Sequence, residues 1–130
     1  MAAERCNRRY LPDVRDEDLT PGHPTPGMVR RQAVATDGMW SGTVETEPGA
    51  SSGWHHHGEY ETTLYVVSGR MRMESGAGGR EVVEAGPGDF LRVPAGAVHR
   101  ESNPSGEPAR AVIVLCGTGE PTFNVEGPAR

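Results

Sequence analysis

A chain of 130 residues has room for one domain and one core but not two. Its formal charge of -5 and pI near 5.5 argue against a polyanion-binding face, and its arginines (Arg8, Arg9, Arg30, Arg31, Arg70, Arg72, Arg80) are scattered as on a solvated surface, so neither nucleic acid nor a membrane is an expected partner. No run nears the about 18 apolar residues of a membrane span, and the first six residues carry no apolar signal region, so a cytoplasmic protein with free thiols at Cys6 and Cys116 is expected, Cys116 as a small core residue.

Residues 1–28 are polar and proline-rich, ending in Thr20-Pro-Gly-His-Pro-Thr-Pro-Gly27. Proline at that density rules out a helix and removes backbone donors. The segment reads as an N-terminal arm laid along the domain or along a partner subunit, with the domain itself spanning 29–130. Strand-like runs follow at 29–36 and 39–47, joined by the hairpin signal Asp37-Gly38. Further runs lie at 52–57, 62–67, 70–74, 81–84, 90–93, 98–101, 110–116 and 122–125, with the glycine-rich 76–79 as a loop. Tyr65 and Phe90 are expected to line the core, and Met71 and Met73 to fill it. No segment holds a helical period of apolar residues. Gly 18 and Pro 11, more than a fifth of the chain, fall between these short runs. Many short strands joined by turns indicate an all-β sandwich or barrel, the jelly-roll class included.

Four of the five histidines sit in two short segments. On a strand through Trp54-His55-His56-His57, His55 and His57 share one face and His56 takes the other. Two imidazoles so placed form a ready pair of metal ligands, without choosing among iron, manganese, nickel, copper and zinc. His23 lies apart, in the arm.

The second segment is more specific. Gly88, Pro94, Gly96, His99 and Asn103 follow the spacing glycine, five residues, proline, one residue, glycine, two residues, histidine, three residues, asparagine. This is the second motif of the cupins, which the chain resembles over residues 29–117. The first cupin motif begins with Gly49, His55 and His57, then fits two ways. Counting on from His57 gives Glu61, whereas counting back from Gly69 gives Thr62. Either a bulge turns Glu61 inward, or Thr62 takes the inward place and the carboxylate is missing. Glu61 is the expected ligand, with Glu59 a more distant choice.

The resemblance implies an antiparallel double-stranded β-helix (jelly-roll) barrel holding one divalent metal ion through His55, His57, Glu61 and His99. Pro94 and Gly96 would shape the turn that swings His99 towards the other two. It also implies pairing of small barrels into homodimers. Sequence offers no nucleophile motif and no phosphate-cradling loop, so any chemistry runs through the metal. A metal-dependent enzyme of dioxygenase-like type acting on a small molecule is the leading expectation. A barrel that binds a small ligand without turnover is the alternative, and a barrel drifted from metal use is a third. Arg92 and Arg100 flank the second motif and could meet an anionic substrate, although alternate strand positions usually face outward.

Overall fold

A computed structural model of the chain describes residues 11–129, so Cys6, Arg8 and Arg9 lie outside the described residues. Eleven strands follow one another: β1 (Thr20–Pro21), β2 (Met28–Ala35), β3 (Met39–Thr46), β4 (His55–His56), β5 (Glu61–Ser68), β6 (Met71–Ser75), β7 (Glu81–Ala85), β8 (Phe90–Val93), β9 (His99–Ser102), β10 (Ala109–Cys116) and β11 (Phe123–Asn124). They form two antiparallel sheets, one ordered β1-β2-β3-β10-β5-β8 and the other β11-β4-β9-β6-β7. This is the double-stranded β-helix expected from the turn pattern and the motifs. Among the described residues no helix is long and apolar enough to cross a membrane.

Alternation along the central strands decides the core. On β10, Ala109, Ala111, Ile113 and Leu115 point inward while Arg110, Val112 and Cys116 face out. Its neighbour β5 answers with Thr62, Leu64 and Val66. Met71 and Met73 from the second sheet close the core from the opposite side. Burying each of the larger aliphatic side chains contributes about 1.5–3 kcal/mol.

The same parity corrects three expectations. Cys116 is exposed rather than a core residue. Tyr65 and Phe90 share the outer face of the first sheet, their ring centroids 4.9 Å apart, and Phe90 is 70% exposed. Aromatic character did not mark the inward face; position relative to Leu64 and Leu91 did.

The arm takes part in the fold. Thr20 and Pro21 pair with Gln32 and Arg31, so this segment covers the edge of β2 within the same chain. Beyond it the chain packs against the segment that precedes β4. Gly27, with φ of +79°, lies so close to Ser51 that an added Cβ would sit 2.1 Å from the Ser51 carbonyl oxygen. A side chain at position 27 would push the arm away from Ser51 and Ser52, in the segment that leads into β4.

Candidate metal centre

His55 lies on β4 and pairs with His99 on β9, while His57 follows as the chain turns towards β5. The three rings meet in the interior with centroids 4.3 Å (His55–His99), 5.1 Å (His57–His99) and 5.2 Å (His55–His57) apart. One ligating nitrogen from each lies within 4.8 Å of the other two, and none of the three side chains is more than 2% exposed. His56 turns away and stacks on Phe123 with centroids 4.9 Å apart, as strand alternation requires.

Each ring is fixed through its other nitrogen. His55 Nδ1 is 3.0 Å from the Gly53 carbonyl oxygen, His57 Nδ1 is 2.9 Å from that of Pro121, and His99 Nδ1 is 2.9 Å from that of Ala97. A carbonyl oxygen can only accept, so all three Nδ1 atoms carry the proton and donate it. In the neutral rings the Nε2 atoms therefore hold lone pairs. Those of His57 and His99 are buried with no hydrogen-bond partner, and that of His55 faces Arg30 Nη2 at 3.4 Å. Backbone-locked imidazoles with convergent lone pairs, those of His57 and His99 free and that of His55 accepting from Arg30, suit a bound metal, since the outer hydrogen bond fixes both tautomer and ring plane.

Burial sets the charge states. It lowers His57 to about 3 and His55 to about 4, the latter against the pull of nearby Glu101. Burial pushes the Glu101 carboxyl up, but adjacent His99, then His55 and Arg30, more than reverse this and hold it at about 2. At neutral pH His55 and His57 are thus neutral and the carboxylate is ionised, the forms in which such groups ligate metals. The donor set fits one divalent ion.

Comparison with known proteins now bears on the chain as a whole. The cupin-domain family profile matches residues 42–115, more than half of it, and spans both histidine segments. The chain is a cupin. No curated protein sequence matches it. Among solved structures, the cupin resembles the polyketide cyclase RemF from Streptomyces resistomycificus (24% identity, TM-score 0.72, 88% of this chain and 85% of that one). It also resembles a conserved protein with a double-stranded β-helix domain from Klebsiella pneumoniae (24%, 0.70, 91% and 98%). Oxalate decarboxylase from Bacillus subtilis, which has Mn(II) centres, superposes on 82% of the chain at 22% identity and TM-score 0.69, but the cupin spans only 30% of its length. These likenesses establish the fold.

The structure does not bring Glu61 to the histidines. Strand β5 alternates without interruption from its first residue, so Glu61 faces solvent and Thr62 points inward, 2% exposed. Its carboxylate instead takes a hydrogen bond from Arg92 Nη2 at 2.7 Å on the outer face. The register shift that could have reversed it falls at the far end of the strand, opposite Arg110 and Ala111. Glu59 is exposed too. Arg92 is thereby engaged outside the barrel, and Arg100 is held by Glu74 (2.9 Å) and lies over the Trp54 ring at 4.5 Å.

Two interior charges escaped the sequence reading. Arg30, 5% exposed, is not on the solvated surface. Its guanidinium donates to Thr25 Oγ1 and to the His23 carbonyl oxygen (3.4 Å), both on the arm, besides facing His55. Glu101, 1% exposed, stands two residues past His99 with Oε1 3.5 Å from His99 Nε2. Strand parity from His99 was the available signal for Glu101. Pro121, which holds His57, could not be found by spacing because it lies 64 residues away.

His99 also borders a cavity of about 90 Å³ between the sheet edges, walled by Met73, Val83, Leu91, Val93 and Ala97. Ser75, Pro94 and Ala97 are shared with a wider surface groove that reaches Pro128 and Ala129. A small apolar slot thus leads from the surface to His99.

Proposed function

We propose that this cupin is a metal-dependent enzyme of dioxygenase-like type that acts on a small molecule reaching His99 through the apolar slot. The observation that carries the reading is the set of three convergent Nε2 atoms whose rings are locked by backbone carbonyls. A divalent ion held by His55, His57 and His99 would supply a Lewis acid for oxygen-bearing ligands. The protein's own residues do the rest. Met73, Val83, Leu91 and Val93 exclude water and receive the apolar part of a substrate, and the carbonyls of Gly53, Ala97 and Pro121 keep the imidazoles in one tautomer. The slot's size favours substrates of few heavy atoms. The reading also includes a homodimer formed through the exposed Tyr65, Val67, Phe90 and Val112 on the outer face of the first sheet.

A second reading, a ligand-binding barrel without turnover, is favoured by one observation: Thr62 stands where the cupin motif counted back from Gly69 calls for a carboxylate. Elemental analysis of untagged protein beside His57→Ala/His99→Ala tests the centre. About one equivalent of metal, lost in the variant, supports it, and no metal even after reconstitution overturns it. Oxygen uptake by the metal-loaded protein with small organic acids and diketones separates the two readings.

A further inference from the structure

Among the described residues Glu101 is the single buried acid, and its carboxylate has no partner nearer than His99 Nε2, 3.5 Å from Oε1. An unsatisfied buried polar group costs about 1–3 kcal/mol, more when charged, so a carboxylate left this way has a ligand-shaped deficit. Its position is well determined. The Glu101 amide donates to Ser52 Oγ at 2.9 Å, and its carbonyl accepts from the Ser52 amide at 2.7 Å. Parity along β9 aims it at the same interior as His99, whose free Nε2 is 3.5 Å from Oε1.

Charge balance points the same way. Arg30 lies at the edge of the triad, and among the described residues no carboxylate comes within 4.0 Å of it. A divalent cation beside a buried guanidinium requires a nearby negative charge. Thr62 cannot provide it, and its own buried hydroxyl is unpartnered.

We propose that Glu101 is the carboxylate ligand of the metal centre, supplied by β9 beside His99 in place of a side chain at position 62. The proposal rests on the reading that the three histidines hold a metal. It places all four ligands on β4, β9 and the turn after β4, so that the centre belongs to one sheet. It requires the Glu101 carboxylate, which stands outside the cluster of three nitrogens, to turn towards them when metal binds. It also adds a hard oxygen donor, which suits manganese and iron better than a purely imidazole set does.

Titrating metal-free protein with Mn(II) alone, by calorimetry and by the EPR signal of the free ion, tests this. Wild type is expected to bind about one equivalent, and Glu101→Gln to bind at least tenfold more weakly while keeping its circular dichroism. Glu101→Asp retains the charge but withdraws the carboxylate by one methylene. It is expected to lose at least tenfold as well, which a pure charge partner of His99 or Arg30 would not. Wild-type affinity in either folded variant overturns the assignment of Glu101 alone. A wild type that takes up neither Mn(II) nor Zn(II) overturns the metal reading itself.

Discussion

The His57 imidazole donates from Nδ1 to the carbonyl oxygen of Pro121, 2.9 Å away and outside the segment matched by the cupin-domain profile. The C-terminal strap is therefore part of the centre. It is held by β11 pairing with β4, by the Tyr60 hydroxyl donating to the Gly119 carbonyl oxygen (3.0 Å), and by Phe123 lying over His56.

Gly58 makes that closure possible. Its φ is +59°, and a Cβ there would meet Phe123 Cε2 at 2.9 Å and the Glu120 carbonyl oxygen at 3.3 Å. Gly58→Ala should cost about 1–2 kcal/mol for the left-handed backbone alone. Displacing the strap should in addition weaken metal binding about tenfold through His57. Urea denaturation and Mn(II) titration check the two effects separately. Unchanged values in both would show that the strap does not support the site.

Glu61 should be dispensable to the centre. Its ion pair with Arg92 is 2.7 Å long but solvent-facing, with side chains 54% and 68% exposed. Pairs of this kind contribute about 0–1 kcal/mol. Glu61→Gln is expected to leave metal stoichiometry at the wild-type value and to shift stability within that range. Loss of metal in this variant would mean that β5 presents its other face in solution.

The fate of Glu61 shows how far the sequence could be read. Strand alternation at His55-His56-His57 and the spacing from Gly88 to Asn103 were enough to bring together three histidines from two distant segments, because both signals are local. The carboxylate was ambiguous because two spacings differed by one residue, and one residue reverses the face of a strand. Arg30 was hidden for another reason. Buried arginine is rare enough that composition assigns it to the surface, and only the arm folding back with Thr25 and His23 gives its guanidinium partners inside.

Asn103, the last residue of the second motif, is structural. Its side chain is 1% exposed and donates to the carbonyl oxygens of Thr46 (3.0 Å) and Glu107 (2.6 Å). It also accepts from the amide (3.0 Å) and hydroxyl (2.7 Å) of Ser105. The turn before β10 is thus pinned to the end of β3. Asn103→Ala strands several of these groups at once and should cost about 2–4 kcal/mol. Metal stoichiometry in the folded variant should remain that of wild type. Equilibrium urea melts decide it, and a loss below about 0.5 kcal/mol would rule out this role.

Acid should unfold the metal-free protein earlier than an ordinary β-domain of this size. His55 and His57 sit at about 4 and about 3 because burial disfavours the imidazolium, whereas in the unfolded chain both titrate near 6.5. Between these limits the unfolded state binds more protons than the folded one, so stability falls as pH falls below 6.5. Two such groups give a slope of at most about 2.7 kcal/mol per pH unit. Glu101, held at about 2, adds the same sign below its ordinary value of 4.5. Melting temperature of the metal-free protein, followed from pH 7.5 to 4.5, is expected to drop steeply below pH 6.5. In His55→Gln/His57→Gln, where neither site can take a proton, the curve should be flatter. A wild-type profile that stays level over that range would show that the two rings reach solvent, and that the closed centre described above opens in solution.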